Sequence, residues 1–418
     1  MIKNRKMKMK RRKKDIHGFV YKLVGCFLIL GFVINYNAAW YMKEEQAVRY
    51  RYETDVSAIS DLQSPSCILV EASTGTVLFE KNCDVPMKPA SVTKVMTLLL
   101  TFEAIHNKSL KLDENVTVSE HAASMGGSQC FFEKDETQTV EDMIKCIIIA
   151  SGNDAAVAMG EKIAGSETEF VNMMNKKAKE LGMKNACFKN ACGLDAEGHE
   201  MSARDISIMS RELITKYPEV LDYSTIWMDH IVHKTRRGES RFDLVNTNKF
   251  LNMYTGATGL KTGYTSTAKY CMSATAERNN ISLIAVIMGA ETKDVRNKDA
   301  CRLLDYGFSQ CRKYTDEKAF DKEEIKIDNG VKDYVRIKSN CTFEGVLLGD
   351  EQEKDVKKEV SINKKLCAPI KKGDVLGSVK YDVGGRNLGE LMLIADEDVK
   401  KMDLKYAFSK ALKKHFAY

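Results

Sequence analysis

The chain has 418 residues, 44% of them hydrophobic, with only five prolines and a formal charge of +6. That length exceeds one ordinary domain, and the composition excludes a disordered or collagen-like chain. The charge is no signal for nucleic acid: residues 1–22 alone hold ten Lys or Arg against one acid, Asp15, which leaves the rest at about −3.

The basic head precedes an unbroken apolar run over residues 23–34. Its length suits a signal-peptide core better than a full membrane span. Continuing through Tyr36, Ala38, Ala39, Trp40 and Met42 stretches it to a marginal anchor, so residues 1–42 read as a basic N-terminus with a signal peptide or membrane anchor. Cations before the span direct the downstream chain to the outer side. Leu23-Val24-Gly25-Cys26 mimics a lipoprotein box but sits at the start of the apolar run, which argues against lipidation. Residues 43–61 are polar and read as a tether.

Two short strands are predicted at 66–71 and 76–80, joined by a turn at Ala72-Ser73-Thr74-Gly75. A buried helix is predicted to start at Ser91, entered through Pro89-Ala90, and a mostly helical block runs from about 140 to 216. Strands return near 229–233, 259–265, 270–276 and 281–288, and a helix over 294–311 closes the unit. Early strands, a helical insert, late strands and a final helix imply an α+β class, an antiparallel sheet covered by helices, over residues 62–316. Short alternating strands with Asp328-Asn329-Gly330 and Lys372-Gly373-Asp374 turns make 317–396 a small all-β domain. Residues 397–418 read as a basic amphipathic helix with Leu404, Phe408, Ala411, Leu412 and Phe416 on one face, which suits a membrane interface.

Three motifs fall within this frame: Ser91-Val92-Thr93-Lys94, Ser151-Gly152-Asn153 and Lys261-Thr262-Gly263. A serine hydroxyl is a weak nucleophile until a base takes its proton. Spacing of three on a helix puts Ser91 and Lys94 on one face, and the helix N-terminus adds free N–H groups for an oxyanion. Lys94 is the candidate base. Burial and a second cation, Lys261, would lower its pKa, so at least one of the two lysines is expected to be neutral at rest. Ser151 is placed as a proton relay between the lysines and Asn153 as an amide donor to a substrate carbonyl. Lys261 and Thr262, on a predicted edge strand, suit a substrate carboxylate, and Gly263 permits close approach to the backbone.

In this order and spacing the three motifs resemble the active site of penicillin-binding proteins and serine β-lactamases. Pro89-Ala90 before Ser91, the run Asn190-Ala191-Cys192-Gly193-Leu194-Asp195 to Arg204-Asp205, and Ala368-Pro369-Ile370-Lys371-Lys372-Gly373 narrow this. They resemble the D-alanyl-D-alanine carboxypeptidase branch of the low-molecular-mass penicillin-binding proteins over roughly residues 62–396. The resemblance implies a β-lactamase/transpeptidase-like catalytic domain and the N–H of Tyr264 as second oxyanion donor. It implies an exported enzyme at the outer face of a bacterial cytoplasmic membrane, held there partly by the C-terminal helix. Its implied partners are the peptidoglycan stem peptide, β-lactams as acylating inhibitors, and the membrane surface, with no cofactor. The branch often has Ser-Thr-Ala where this chain has Met201-Ser202-Ala203, so that segment reads as support.

Competing readings are a D,D-endopeptidase, a serine β-lactamase and a non-catalytic wall-binding scaffold. No Glu-x-x-Leu-Asn segment occurs to activate a deacylating water, which weighs against a class A β-lactamase. His199 reads as structural, since no Gly-x-Ser-x-Gly elbow exists. None of the twelve cysteines forms Cys-x-x-Cys, no His-Glu-x-x-His occurs, and mostly reduced, buried thiols without metal are expected.

Overall fold

The structure is a computed structural model and describes residues 59, 61–320, 323–363 and 365–408. The N-terminal span and most of the tether lie outside the described residues. Ile59, near the end of that tether, is buried and belongs to the same apolar cluster as Leu69, Ile287 and Leu303.

The central sheet is antiparallel, in the order β2 (Val77–Lys81), β1 (Ser66–Glu71), β9 (Ile281–Ala290), β8 (Lys269–Arg278), β7 (Ala257–Thr265). Its middle strands are near-continuous apolar runs because both faces are covered. Alternation divides them: Ile284, Val286 and Met288 face one core, and Leu283, Ala285 and Ile287 the other. The first face packs on α1 (Lys94–His106) and α5 (Ala203–Lys216), whose shared core extends to α2 (Val140–Ile148), α3 (Asn153–Ala164) and α4 (Glu167–Glu180), and the second packs on α6 (Lys293–Gln310).

Helix termini obey capping chemistry. Thr139, Ser166, Ser202 and Thr292 each accept an N–H of the first turn, and Ser202 with Asp205 forms a reciprocal capping box. Ser202 therefore has a supporting role, as its departure from Ser-Thr-Ala implies.

Three features depart from the sequence reading. Ser91 does not open an α-helix: residues Ala90–Thr93 form a 3₁₀ turn, and α1 starts at Lys94. The antiparallel pairing of β3 (Asn115–Thr117) with β4 (Thr137–Thr139) is additional, as is β6 (Gly238–Val245), the partner of β5 (Met228–Thr235). The C-terminal helix does not begin at 397. Val399 and Lys401 bridge to Ile370 and Gly330, and only residues 404–408 turn helical among those described. Ala411, Leu412 and Phe416 lie outside the described residues.

Beyond α6, β10 (Cys311–Asp316) pairs with β13 (Phe343–Leu348). A five-stranded antiparallel sheet forms the rest of this region, ordered β11 (Glu323–Lys326), β12 (Tyr334–Ser339), β16 (Arg386–Ala395), β15 (Val375–Val383), β14 (Val356–Ile362). Its core holds Phe343 stacked on Tyr381 at 3.6 Å.

Candidate active site

The fold brings the three motifs together. The 3₁₀ turn carries Ser91 to the mouth of α1, with Lys94 one turn on. The Lys94 side chain is fully buried, and its ammonium makes three hydrogen bonds: 3.0 Å to Ser91 Oγ, 2.6 Å to Asn153 Oδ1 and 2.8 Å to the Cys192 carbonyl. Two of these partners can only accept, so when Lys94 is neutral its two N–H groups serve the two carbonyl oxygens. Its lone pair then faces the Ser91 hydroxyl, the one partner able to reverse and donate. Burial is the main cause that pulls Lys94 from 10.5 to about 8; Cys192, Asp154 and Cys130 oppose it.

Asn153 opens α3. Its amide Nδ2 donates to Gly126 O at 2.6 Å and its backbone N–H to Ser128 O at 2.7 Å. Next to it, buried Asp154 accepts the N–H groups of Cys130 and Ala155 at 2.9 Å, tying the preceding loop to the helix start. Ser151 is nearly buried and held at φ +62°. No hydrogen bond joins its side chain to either lysine, so the bridging contact expected from the sequence is not made at rest.

Gly263 lies where β7, an edge strand as expected, crosses the nucleophile turn. A Cβ there would come within 2.9 Å of Pro89 O and 3.0 Å of Ser91 N, so only glycine allows the strand this near the Ser91 N–H. Lys261 is 1% exposed and donates only to the Thr262 carbonyl, at 3.3 Å. Burial first, then the charges of Lys94 and Arg296, hold Lys261 well below the usual lysine range. Thr262 is 8% exposed and Tyr264 is half-exposed, its ring 4.5 Å from Tyr270.

The sequence reading missed three contributors. The Cys192 carbonyl holds Lys94. Gly193 comes next at φ +91°, pressed against the Ala90 carbonyl. Arg296 of α6 is 3% exposed, and its nitrogens donate to Asn297 rather than to a carboxylate. Burial lowers Arg296 to about 10. A buried guanidinium without an acid partner, beside a buried lysine that can take up a proton, makes this end of the cleft receptive to an anion. The one available signal was a charged residue beside the apolar stripe of the closing helix.

His199 is buried. Its Nδ1 accepts the Lys189 N–H at 3.2 Å and its Nε2 lies 2.9 Å from Thr93 Oγ1, a packing role consistent with the sequence reading. All eleven cysteines among the described residues are free, seven of them buried. The described residues contain no group of three metal-binding side chains and no helix long and apolar enough to cross a membrane.

A helix-covered antiparallel sheet, with a serine–lysine pair at a helix mouth facing a Lys-Thr-Gly edge strand, defines the penicillin-recognising serine hydrolases. Comparison narrows the class. The family model for D-alanyl-D-alanine carboxypeptidase matches residues 52–292, and one for the penicillin-binding protein 5 C-terminal domain matches 309–401. The chain belongs to the D-alanyl-D-alanine carboxypeptidase family. It is 43% identical over 343 residues to D-alanyl-D-alanine carboxypeptidase DacF of Bacillus subtilis, spanning 81% of this chain and 86% of the relative. To DacC of Escherichia coli it is 31% identical, spanning 83% and 88%. Penicillin-binding protein 5 of Haemophilus influenzae superposes with a TM-score of 0.61 at 29% identity, covering 82% of this chain and 98% of that one. The PBP3 structure from Streptococcus pneumoniae superposes at 0.66 and 27% identity, covering 81% and 100%.

Proposed function

We propose that this chain is a serine-type carboxypeptidase that removes the terminal D-alanine from peptidoglycan stem peptides through an acyl-enzyme on Ser91. The observation that carries the reading is the buried Lys94 ammonium 3.0 Å from Ser91 Oγ. Two buried ammonium groups resist being charged together, so Lys94 and Lys261 hold about one proton between them near neutral pH. The substrate's C-terminal carboxylate, taken up by Lys261, Thr262 and Arg296, favours the proton on Lys261 and leaves Lys94 free as base.

Lys94 then takes the Ser91 proton as Oγ attacks the penultimate D-alanine carbonyl. The N–H groups of Ser91 and Tyr264 receive the oxyanion. Ser151 turns to pass a proton to the departing amine, and Asn153 orients the acyl-side carbonyl. Water then hydrolyses the peptidyl ester. A β-lactam undergoes the same first step and stays as an acyl group.

The chain acts outside the cytoplasm at the cell wall, and we assign it to the outer membrane face through its basic apolar N-terminus and its C-terminal segment. Exposed Leu404 and Phe408 at the described end of that segment support the second anchor. Sedimentation with anionic vesicles, compared with a chain ending at residue 400, tests it; equal sedimentation removes the C-terminal anchor.

Release of D-alanine from a pentapeptide ending in D-Ala-D-Ala, measured beside Ser91→Ala, tests the function. Release by the parent and none by the variant is expected. Equal release would remove Ser91 from the reaction. No release by a folded parent would favour action on cross-links, the endopeptidase reading.

A further inference from the structure

Two backbone segments outside the three motifs present oxygens to Asn153, through its side chain and its backbone N–H, and to the Lys94 side chain. The loop at 125–130 receives Asn153 through Gly126 O and Ser128 O. The segment at 190–193 receives Lys94 through Cys192 O. Ala191 belongs to no strand, yet both of its backbone polar atoms are held by side chains. Its carbonyl accepts from Thr97 Oγ1 at 2.6 Å, and its N–H donates to Glu167 Oε1 at 3.0 Å.

Glu167 is the first residue of α4 and has a second grip. Its Oε2 lies 2.7 Å from His121 Nε2, on the helical turn Glu120–Ala123 that leads directly into the 125–130 loop. One carboxylate thus joins the segment that holds Lys94 to the segment that holds Asn153, and these two side chains meet at 2.6 Å.

We propose that Glu167 is a positioning residue for acylation: it fixes Ala191, and through it the Cys192 carbonyl, against the loop that carries Asn153, and so aims the Lys94 amine at Ser91. The inference rests on Lys94 acting as the base. With Glu167 gone, Ala191 keeps only its Thr97 contact, and the Cys192 carbonyl, tethered then by Asn190 Oδ1 on the Cys192 and Gly193 N–H groups at 3.2 and 2.6 Å, drifts from the ammonium.

That drift has two consequences. The amine loses aim, which slows acylation. The ammonium also loses an acceptor that favours its charged form, so Lys94 gives up its proton at lower pH. The other groups facing it act unchanged: Asp154 and the Cys130 and Cys192 thiols favour the proton, and Lys261 disfavours it.

The test is the rate of acylation by benzylpenicillin, monitored by mass spectrometry from about pH 5 to pH 10 for the full chain, Glu167→Ala and Glu167→Gln. Glu167→Ala is expected to lower the plateau rate about tenfold and to move the acid limb down by about half a unit. Glu167→Gln retains a carbonyl oxygen for the Ala191 N–H and is expected to stay within about twofold of the parent with its limb in place. An equal loss at every pH with an unmoved limb would reduce Glu167 to a fold-stabilising residue. A glutamine variant as impaired as the alanine one would also overturn the proposal, because the charge would then matter and not the grip on Ala191. A parent that benzylpenicillin does not acylate at all would instead refute Ser91 and Lys94 as the reacting pair.

Discussion

Gly193→Ala is the sharpest perturbation of the site that leaves every motif side chain in place. A Cβ at residue 193 falls 1.9 Å from Ala90 O, 2.4 Å from Ala90 C and 2.9 Å from Thr93 Oγ1. Relief needs at least about 1 Å of displacement, and the nearest partner is backbone with no rotamer to yield. The φ of +91° adds about 1–2 kcal/mol for any residue with a Cβ. Whichever side moves, the base is mis-aimed: the Ala90 side carries Ser91, and the Gly193 side carries the Cys192 carbonyl. A misplacement of about 1 Å near reacting atoms costs on the order of 100-fold in rate, equivalent to about 2.7 kcal/mol of barrier. Gly165→Ala is the control, since it has φ +84° with nothing within 4 Å of the added carbon. Both variants should lose a similar amount of stability to the positive φ, and Gly193→Ala more through its clash, but only Gly193→Ala should lose D-alanine release and penicillin acylation. Acylation within about threefold of the parent in a folded Gly193→Ala protein would refute the idea that this contact sets the nucleophile turn.

The pH dependence derives from Lys94. Its proton is lost at about 8 rather than 10.5, so acylation should rise with pH, level above about 8 and lie about a hundredfold lower at pH 6; stopped-flow acylation that is flat from pH 6 to about pH 9 would remove Lys94 as base. The same lowered pKa means the unfolded chain holds a proton that the fold releases between about 8 and 10.5, so this group's cost to stability is full below 8 and relieved above it. His199 is lowered from 6.5 to about 4 by burial and then by Lys88, so its contribution to stability is intact above 6.5 and lost as pH falls towards 4. That loss amounts to about 3 kcal/mol, and urea unfolding of His199→Gln should show a flatter acid limb than the parent. In the all-β region, Phe343→Ala removes the ring stacked on Tyr381 and should cost about 3–5 kcal/mol locally, leaving the acylation rate unchanged. A fall in acylation parallel to the fall in stability would tie that region to the active site.

Much of the architecture is legible in the sequence because its signals are local. Ile281–Ala290 is apolar throughout, since helices bury both of its faces, and Thr292 caps the next helix. Gly238–Val245 is invisible there for the opposite reason: it is mostly exposed and polar, and strand pairing with Met228–Thr235 rather than burial defines it. The 3₁₀ turn at Ala90–Thr93 reads as helix because Ser91 and Lys94 meet the helical spacing, and the tighter turn still brings them to 3.0 Å.

The site divides in a similar way. Ser91, Lys94, Asn153, Lys261 and Gly263 are legible because each contributes a side chain, or the lack of one, that only a few residue types can supply. The Cys192 and Gly126 carbonyls are not, because every residue has a carbonyl and only the fold decides which one faces an ammonium or an amide. Glu167 falls between these cases. As an acid in the first turn of a Ser-capped helix it is fully accounted for by the helix dipole, and nothing in its local sequence signals a further role. Its grip on Ala191 depends on a chain segment 24 residues away. Residues that position catalytic groups through main-chain atoms are therefore the ones motif reading passes over. In this site they are concentrated in the 125–130 and 190–193 segments, where the two carbonyl contacts to Asn153 and Lys94 are made.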